Sequence, residues 1–237
     1  ITFMWVNTQS EIISKVLPPA VRLFLRTQVE QIEDLEMQLQ GHDRQILRGY
    51  IPGVFLAVGK AIYQGLHLGK AQLRGENIRL NIGQVLRGKP LKILEPIRVS
   101  GEVEINEQDL NNSIASTILI NAFADLLIFS LENNGVVNAR EIISQQRFNW
   151  KNVLLNQGYF SLLGHRETGA EVIFSADITL EDDRTLGINP RQWQGLATDL
   201  SIDLQPFTVD LGKDVEIKSF ILDDQTLFCQ GSFLILP

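Results

Sequence analysis

One fifteen-residue stretch, residues 117–131 (TILINAFADLLIFSL), most constrains what this chain can fold into. Eleven of its fifteen residues are apolar. The polar residues in and around it recur at helical spacing: Ser113, Thr117, Asn121, Asp125 and Glu132. At ~100° per residue these groups cover an arc of about 120°, so about two-thirds of a helix here is apolar apart from Ser130.

A helix with so wide an apolar arc needs more cover than one flat sheet provides. A curved sheet, neighbouring helices, or a sheet together with an apolar ligand would supply it. The helix is too short to span a membrane, since fifteen residues rise ~22 Å against a hydrocarbon core of ~30 Å. Two interpretations stay open: the central helix of an ordinary core, or a helix that lines a lipid-sized cavity.

Two helices are predicted around this pattern. An N-terminal helix over about residues 10–30 has Ser10 as its N-cap and Phe24 and Leu25 on its apolar face, and Pro18-Pro19 should kink or restart it. A central helix over about residues 107–132 begins after Asn106 as its cap and ends at Asn133-Asn134-Gly135. A further short helix is predicted over residues 139–146.

The rest of the chain alternates with period two, as half-buried strands do. Apolar residues alternate with polar ones in several runs: Leu35, Met37 and Leu39; Ile97, Val99, Val103 and Ile105; Val172, Phe174, Ala176, Ile178 and Leu180; Leu200, Ile202 and Leu204; Val215 and Ile217. Frequent glycines favour bulged strands that curl. No change of composition indicates a linker, so residues 1–237 are predicted to form a single α+β domain.

Charge excludes one class of partner and suggests another. The net charge is −7, which argues against nucleic acid as a partner because binding it needs a basic surface. Residues 70–98 nevertheless hold seven basic and two acidic side chains, whereas residues 177–224 hold eleven acidic and four basic ones. A chain with this asymmetry can meet an anionic surface with one end only.

Motifs for catalysis or metal binding are missing from the sequence. It has no glycine-rich phosphate loop, no nucleophile elbow and no metalloprotease motif. His42, His67 and His165 are far apart, so no metal site and no cofactor are predicted. The pairs Asp182-Asp183 and Asp223-Asp224 are typical of hairpin turns, and the single Cys229 is expected to be a packing residue.

A basic and aliphatic loop follows the first group of strands. Residues 83–97 (GQVLRGKPLKILEPI) interleave Arg87, Lys89 and Lys92 with aliphatic side chains. Such a mixture suits a membrane interface or the rim of a phospholipid headgroup site.

Three long runs of this sequence resemble a known family: residues 22–54, 61–114 and 215–237 are similar to the LmeA-like phospholipid-binding family, especially its cyanobacterial branch. The resemblance implies a tubular-lipid-binding (TULIP-like) fold, in which a highly curved, twisted antiparallel sheet wraps around helices and encloses an apolar groove for acyl chains. It also implies that the protein is not an enzyme.

The resulting hypothesis is a non-enzymatic protein that binds phospholipid or another acyl lipid at a peripheral membrane surface, with lipid transfer as an extension. The expected tail contacts are Phe24, Leu25, Leu119, Ala122, Phe123, Leu126 and Leu127; the expected headgroup or membrane rim is Arg87, Lys89 and Lys92. Asp125 is predicted to face away from the groove, since a buried charge would oppose apolar binding.

Two alternatives stay open: a structural or interaction module with a filled core, and an enzyme that modifies lipids or glycolipids through Asp125. The chain begins with Ile1 rather than Met, which suggests a trimmed or processed start, so the compartment, periplasm or cytoplasm, is left open.

Overall fold

The computed structural model describes residues 11–195 and 204–237, with side chains described from residue 17 onward. These residues confirm an α+β chain whose strand pairings are antiparallel. The helices are α1 (Glu11–Gln28), α2 (Asp43–Leu47), α3 (Ile82–Val85), α4 (Glu107–Asn112), α5 (Thr117–Asn133) and α6 (Ala139–Gln145).

Fourteen strands are present in the described residues. They are β1 (Gln31–Glu33), β2 (Glu36–Gln40), β3 (Tyr50–Val58), β4 (Lys60–Tyr63), β5 (Leu66–Leu68), β6 (Lys70–Arg79), β7 (Ile97–Asn106), β8 (Phe148–Asn156), β9 (Tyr159–Arg166), β10 (Glu171–Leu180), β11 (Thr185–Gln194), β12 (Phe207–Asp210), β13 (Val215–Asp223) and β14 (Thr226–Ile235). They form a three-stranded sheet β1-β4-β5, a five-stranded sheet β12-β11-β10-β9-β8 and a six-stranded sheet β13-β14-β7-β6-β3-β2.

Three sheets replace the one long sheet that the resemblance implies. The two turns that join the three-stranded sheet to β2 and β3 lie against each other: Asp34, between β1 and β2, has φ 50°, and a Cβ built on Gly59, between β3 and β4, would crowd the Asp34 side chain. These turns carry β1 and β4 away from β2 and β3. Each larger sheet contains β-bulges, for example between Ile217 and Ser219, and such bulges bend the strands locally.

The apolar side chains form two separate cores. The first lies between α1 and one end of the six-stranded sheet and includes Leu17, Ile51 and Ile97. The second lies between α5 and the five-stranded sheet and includes Leu131, Leu162 and Phe174. Burial of apolar surface at this scale is the main favourable term in folding.

The continuous helix expected over about residues 107–132 is two helices. The Asn106 side chain caps α4, as predicted, by accepting a hydrogen bond of 2.8 Å from the Asp109 N–H. The chain then turns at residues 113–116, because the Ser116 hydroxyl accepts from the Leu119 N–H at 3.2 Å and so starts a new helix. Ser113 is fully buried in this turn and accepts from the His67 N–H at 2.7 Å.

The N-terminal helix, expected over about residues 10–30 with a kink or restart at Pro18-Pro19, is α1 without a restart. α1 continues through Pro18 and Pro19, although each proline lacks the N–H that a helix interior uses. The prediction of Ser10 as N-cap and the strand predicted at Leu200 and Ile202 lie outside the described residues. The predicted end of the central helix and the short helix near residues 139–146 are confirmed by α5 and α6.

No helix in the described part of the chain combines the length and apolarity needed to cross a membrane.

Candidate apolar binding surface

One face of the six-stranded sheet carries a continuous row of apolar side chains. Residues that pair directly across two strands project from the same face. Val103 of β7 pairs with Cys229 of β14, and Cys229 pairs with Phe220 of β13. The same face carries Ile97 and Val99 farther along β7, where they belong to the first core. We call it the inner face.

The middle of the inner face is only partly covered by protein. We define the apolar band as the half-buried inner-face residues Leu56, Leu73, Val103, Ile217, Phe220 and Cys229. Leu73 packs against the first core, but among the described residues the other five belong to neither core. Leu222 and Leu227, beyond the band, pack into the second core. The band therefore consists of partly exposed apolar side chains that lie between the residues of the two cores.

Two glycines stand in the centre of this band. Gly101 pairs with Gly231 across β7 and β14, and Leu73 pairs with Gly101 on the other side. A Cβ built on Gly101 would overlap the Gln72 carbonyl oxygen and the Leu73 side chain. Glycine thus lets the strands approach closely here, and the Leu73 side chain lies over Gly101.

Helix α5 buries only part of its wide apolar arc. Phe123, Leu127, Ile128 and Leu131 are buried against the five-stranded sheet. The Phe123 ring meets Trp150 edge to face, with ring centroids 5.9 Å apart. This face is an ordinary packed core.

A second apolar stripe on α5 is incompletely covered. Leu119, Ala122, Leu126 and Phe129 fall within an arc of about 80° at ~100° per residue. Leu119 and Leu126 are half-buried, Ala122 is exposed, and Phe129 is 38% exposed. Asp125 is exposed, and its orientation away from bound lipid stays a prediction.

The predicted tail contacts are thus divided among three environments. Phe123 and Leu127 are buried in the second core, whereas Leu119, Ala122 and Leu126 lie on the partly covered stripe, where Leu119 and Leu126 also pack against the second core. Phe24 and Leu25 are half-buried on α1, and Leu25 packs against the first core. The structure does not bring these seven residues into one contact set, and their contact with lipid stays a prediction.

The predicted headgroup residues Arg87, Lys89 and Lys92 are all exposed on the loop that follows α3. This loop is fixed to the fold by Asn81. The Asn81 side chain accepts from the Lys92 N–H at 2.7 Å and donates to the Pro90 carbonyl at 2.9 Å. The cations are consequently presented on an ordered loop.

A small pocket of about 190 Å³ lies beside the three-stranded sheet. Its walls include the charged residues Glu33, Lys60 and Asp109 together with His67. Such walls oppose the burial of an acyl chain, and the volume is below the ~300 Å³ at which small-molecule sites begin. We therefore place no lipid tail there.

The described residues also bear on the enzyme alternative. They contain no group of three or more His, Cys, Asp or Glu side chains arranged to hold a metal ion. Within the same ranges, Asp125 is exposed and forms no hydrogen bond or ion pair with a carboxylate or histidine. The enzyme alternative needs such a partner.

Two titratable groups in the described part of the chain have shifted pKa values, and each shift has a plain structural cause. Hydrogen bonds from the Arg184 and Thr185 N–H groups hold the pKa of Asp182 below its ordinary value, which confirms its role in a hairpin turn. Burial raises the pKa of the Cys229 thiol. A thiol that stays neutral suits its place in the apolar band.

Sequence reasoning missed the apolar band. The alternation of Val103 and Cys229 was visible in their own strands, but the pairing that aligns them requires the register of the folded sheet.

Comparison with known proteins gives one match. The family model described as LmeA-like phospholipid-binding matches residues 8–232. No curated protein and no solved structure matches the chain.

Proposed function

Because the chain belongs to the LmeA-like phospholipid-binding family, we propose that it binds a phospholipid without catalysis and holds the acyl tails against the apolar band. The observation that carries this proposal is the row of half-buried apolar side chains between the two cores. Five half-buried apolar residues there pack into neither core in the described part of the chain.

In this proposal, acyl tails cover the apolar side chains of the band that the protein itself leaves partly exposed. Each CH₂ group moved out of water contributes ~0.8 kcal/mol, so two acyl chains would cost on the order of 20 kcal/mol to expose. Extraction from a bilayer is nearly neutral only if the receiving surface is about as apolar as the bilayer. The apolar band meets this condition because Val103, Phe220 and Cys229 bring no charge to it.

The partly covered stripe on α5 is the second tail surface in this proposal. Leu119, Ala122 and Leu126 contact the tails directly, whereas Phe123 and Leu127 support the helix from within the core. Phe24 and Leu25 extend the apolar surface at α1. Arg87, Lys89 and Lys92 meet the lipid phosphate, and exchange of lipid between membranes follows from the near-neutral extraction.

The structural-module alternative predicts a filled interior and no bound lipid. Native mass spectrometry and organic extraction of the purified full chain separate the two hypotheses. We expect a co-purified phospholipid, and a lipid-free chain that also takes up none from vesicles would contradict the proposal.

A matched pair of variants locates the tails. Phe220 lies in the apolar band, and its neighbour Ile221 is 52% exposed on the opposite face of β13. Phe220→Glu should lose bound lipid, whereas Ile221→Glu, with the same added charge, should retain it. Circular dichroism confirms that both variants are folded. If folded Phe220→Glu keeps its lipid, the tails do not lie on the band.

A further inference from the structure

Three leucines are exposed at the end of the molecule formed by α2, α3 and the loop after α3. Leu47, Leu86 and Leu94 are 40%, 45% and 54% exposed. They neighbour inward-facing residues that pack together in the first core: Ile46 in α2, Ile82 in α3 and Ile93 in the loop. The three leucines therefore project from one shared end, which we call the α2–α3 end.

This end is held in a fixed arrangement by backbone hydrogen bonds. The Leu80 N–H donates to the Gly49 carbonyl at 2.8 Å, which joins the start of α3 to the end of α2. The Leu94 N–H donates to the Arg79 carbonyl at 2.9 Å. An exposed leucine on an ordered segment loses little conformational entropy when it binds a partner.

Uncompensated positive charge surrounds these leucines. Residues 43–48 and 79–96 contain six basic and two acidic side chains, in a chain whose net charge is −7. Arg44, Arg48, Arg87, Lys89 and Lys92 are exposed, and within residues 11–195 and 204–237 none of them takes part in an ion pair. Some exposed cations elsewhere in the described residues are paired, for example Arg191 with Asp177 at 2.6 Å, whereas others, such as Arg74 and Lys151, are not.

We propose that the α2–α3 end docks on the surface of an anionic phospholipid bilayer, with Leu47, Leu86 and Leu94 at the acyl boundary and the five cations at the lipid phosphates. Aliphatic side chains ringed by Lys and Arg match the layered chemistry of that surface. The inference rests on the proposed function for its ligand class, and it adds where and in which orientation the protein meets the membrane.

The acidic residues of the chain support one orientation. Residues 177–224 carry eleven acidic and four basic side chains. An anionic leaflet repels that part of the protein and attracts the α2–α3 end. Each Lys or Arg near such a surface contributes about fivefold in affinity.

Co-sedimentation of the full chain with vesicles tests the docking. We expect binding to mixed phosphatidylcholine–phosphatidylserine vesicles, weak binding to phosphatidylcholine alone, and loss of binding as salt is raised. The triple variant Arg87→Gln, Lys89→Gln and Lys92→Gln should bind the mixed vesicles roughly a hundredfold more weakly. The control triple Arg74→Gln, Lys151→Gln and Lys213→Gln removes the same charges from exposed sites elsewhere and should bind normally.

A second pair of variants tests insertion of the leucines. Leu86→Ser with Leu94→Ser should weaken binding roughly tenfold, and Leu154→Ser with Leu211→Ser, at sites that are also exposed, should not. Equal binding by test and control variants, or equal binding to both kinds of vesicle, would overturn the docking proposal.

Bound lipid, measured by extraction in the same samples, separates this proposal from the proposed function. A chain with Leu86→Ser and Leu94→Ser that keeps its lipid but no longer binds the vesicles supports both proposals. If the wild-type chain carries lipid but does not bind anionic vesicles, the docking proposal is wrong and the proposed function is unaffected. If the chain binds vesicles but neither carries nor takes up lipid, the proposed function is wrong and the docking proposal is unaffected.

Discussion

Gly101 and Gly231 lie directly opposite each other on β7 and β14, in the centre of the apolar band. Neither has room for a side chain: a Cβ on Gly101 would overlap the Gln72 carbonyl oxygen, and one on Gly231 would overlap the Glu216 carbonyl oxygen. The β-bulge between Ile217 and Ser219 lies beside this pair on β13. The glycines and the bulge together bend the sheet where the apolar band lies.

Gly101→Ala should destabilise the fold because the added methyl group displaces the neighbouring strand. Overpacking of this kind costs about 1–3 kcal/mol, and urea unfolding followed by circular dichroism measures it. Gly83→Ala is the matched control, since a Cβ there meets nothing within 4 Å and Gly83 lies in helix α3. The control should be neutral or stabilising by up to about 1 kcal/mol. Equal free energies of unfolding for the two variants would show that the close approach of the strands at Gly101 does not limit the size of the residue there.

Phe123→Ala should destabilise the protein by about 3–5 kcal/mol, because it leaves a cavity in the second core and removes the edge contact with Trp150. Phe129→Ala, on the exposed side of the same helix, should cost much less. Thermal or urea unfolding compares the two. A small loss of stability at position 123 would mean that this side chain is held by a ligand site rather than by the core.

Asp182→Asn should destabilise the protein near neutral pH and lose this effect in acid. Hydrogen bonds lower the pKa of Asp182 in the folded state, so its carboxylate stabilises the fold above the ordinary pKa of 3.8. That contribution disappears as pH falls through the lower folded-state pKa. Urea midpoints of wild type and variant should converge in acid, and Asp183→Asn serves as the control. If the difference in urea midpoint between wild type and Asp182→Asn does not change with pH, the stabilisation does not come from the Asp182 carboxylate.

Alkylation of Cys229 should require a higher pH in the folded chain than in the chain unfolded by urea. Burial raises the pKa of this thiol, and the thiolate is the reactive species. Because Cys229 is the chain's single cysteine, the rate of labelling by iodoacetamide reports on it alone. Coincident pH profiles for folded and unfolded chain would show that the thiol is not desolvated.

Much of the local structure could be predicted from the sequence because it depends on neighbours in the chain. The alternation over residues 97–105 predicted β7, and Asn106 with Asp109 predicted the start of α4. The end of α5 at Asn133, followed by Gly135 with φ 80°, was predicted from the same kind of local signal.

The departures come from interactions between distant parts of the chain. Ser113 lay in a polar helical row, but the fold buries it and bonds it to His67 of β5, which separates α4 from α5. Strand pairing likewise placed Val103 beside Cys229 across more than a hundred residues. Periodicity shows which side chains share a face of one strand, but it contains no information about which strands pair.

The most direct test of the central claim, that acyl tails lie on the apolar band, is the labelling rate of Cys229 with and without phospholipid. The delipidated full chain and the chain reloaded from phosphatidylglycerol vesicles are treated with iodoacetamide at the same alkaline pH. Because Cys229 is half-buried in the band, bound tails should cover it and slow its labelling severalfold, and release of the lipid should restore the rate. Equal rates for lipid-loaded and lipid-free protein would place the tails elsewhere and contradict the account.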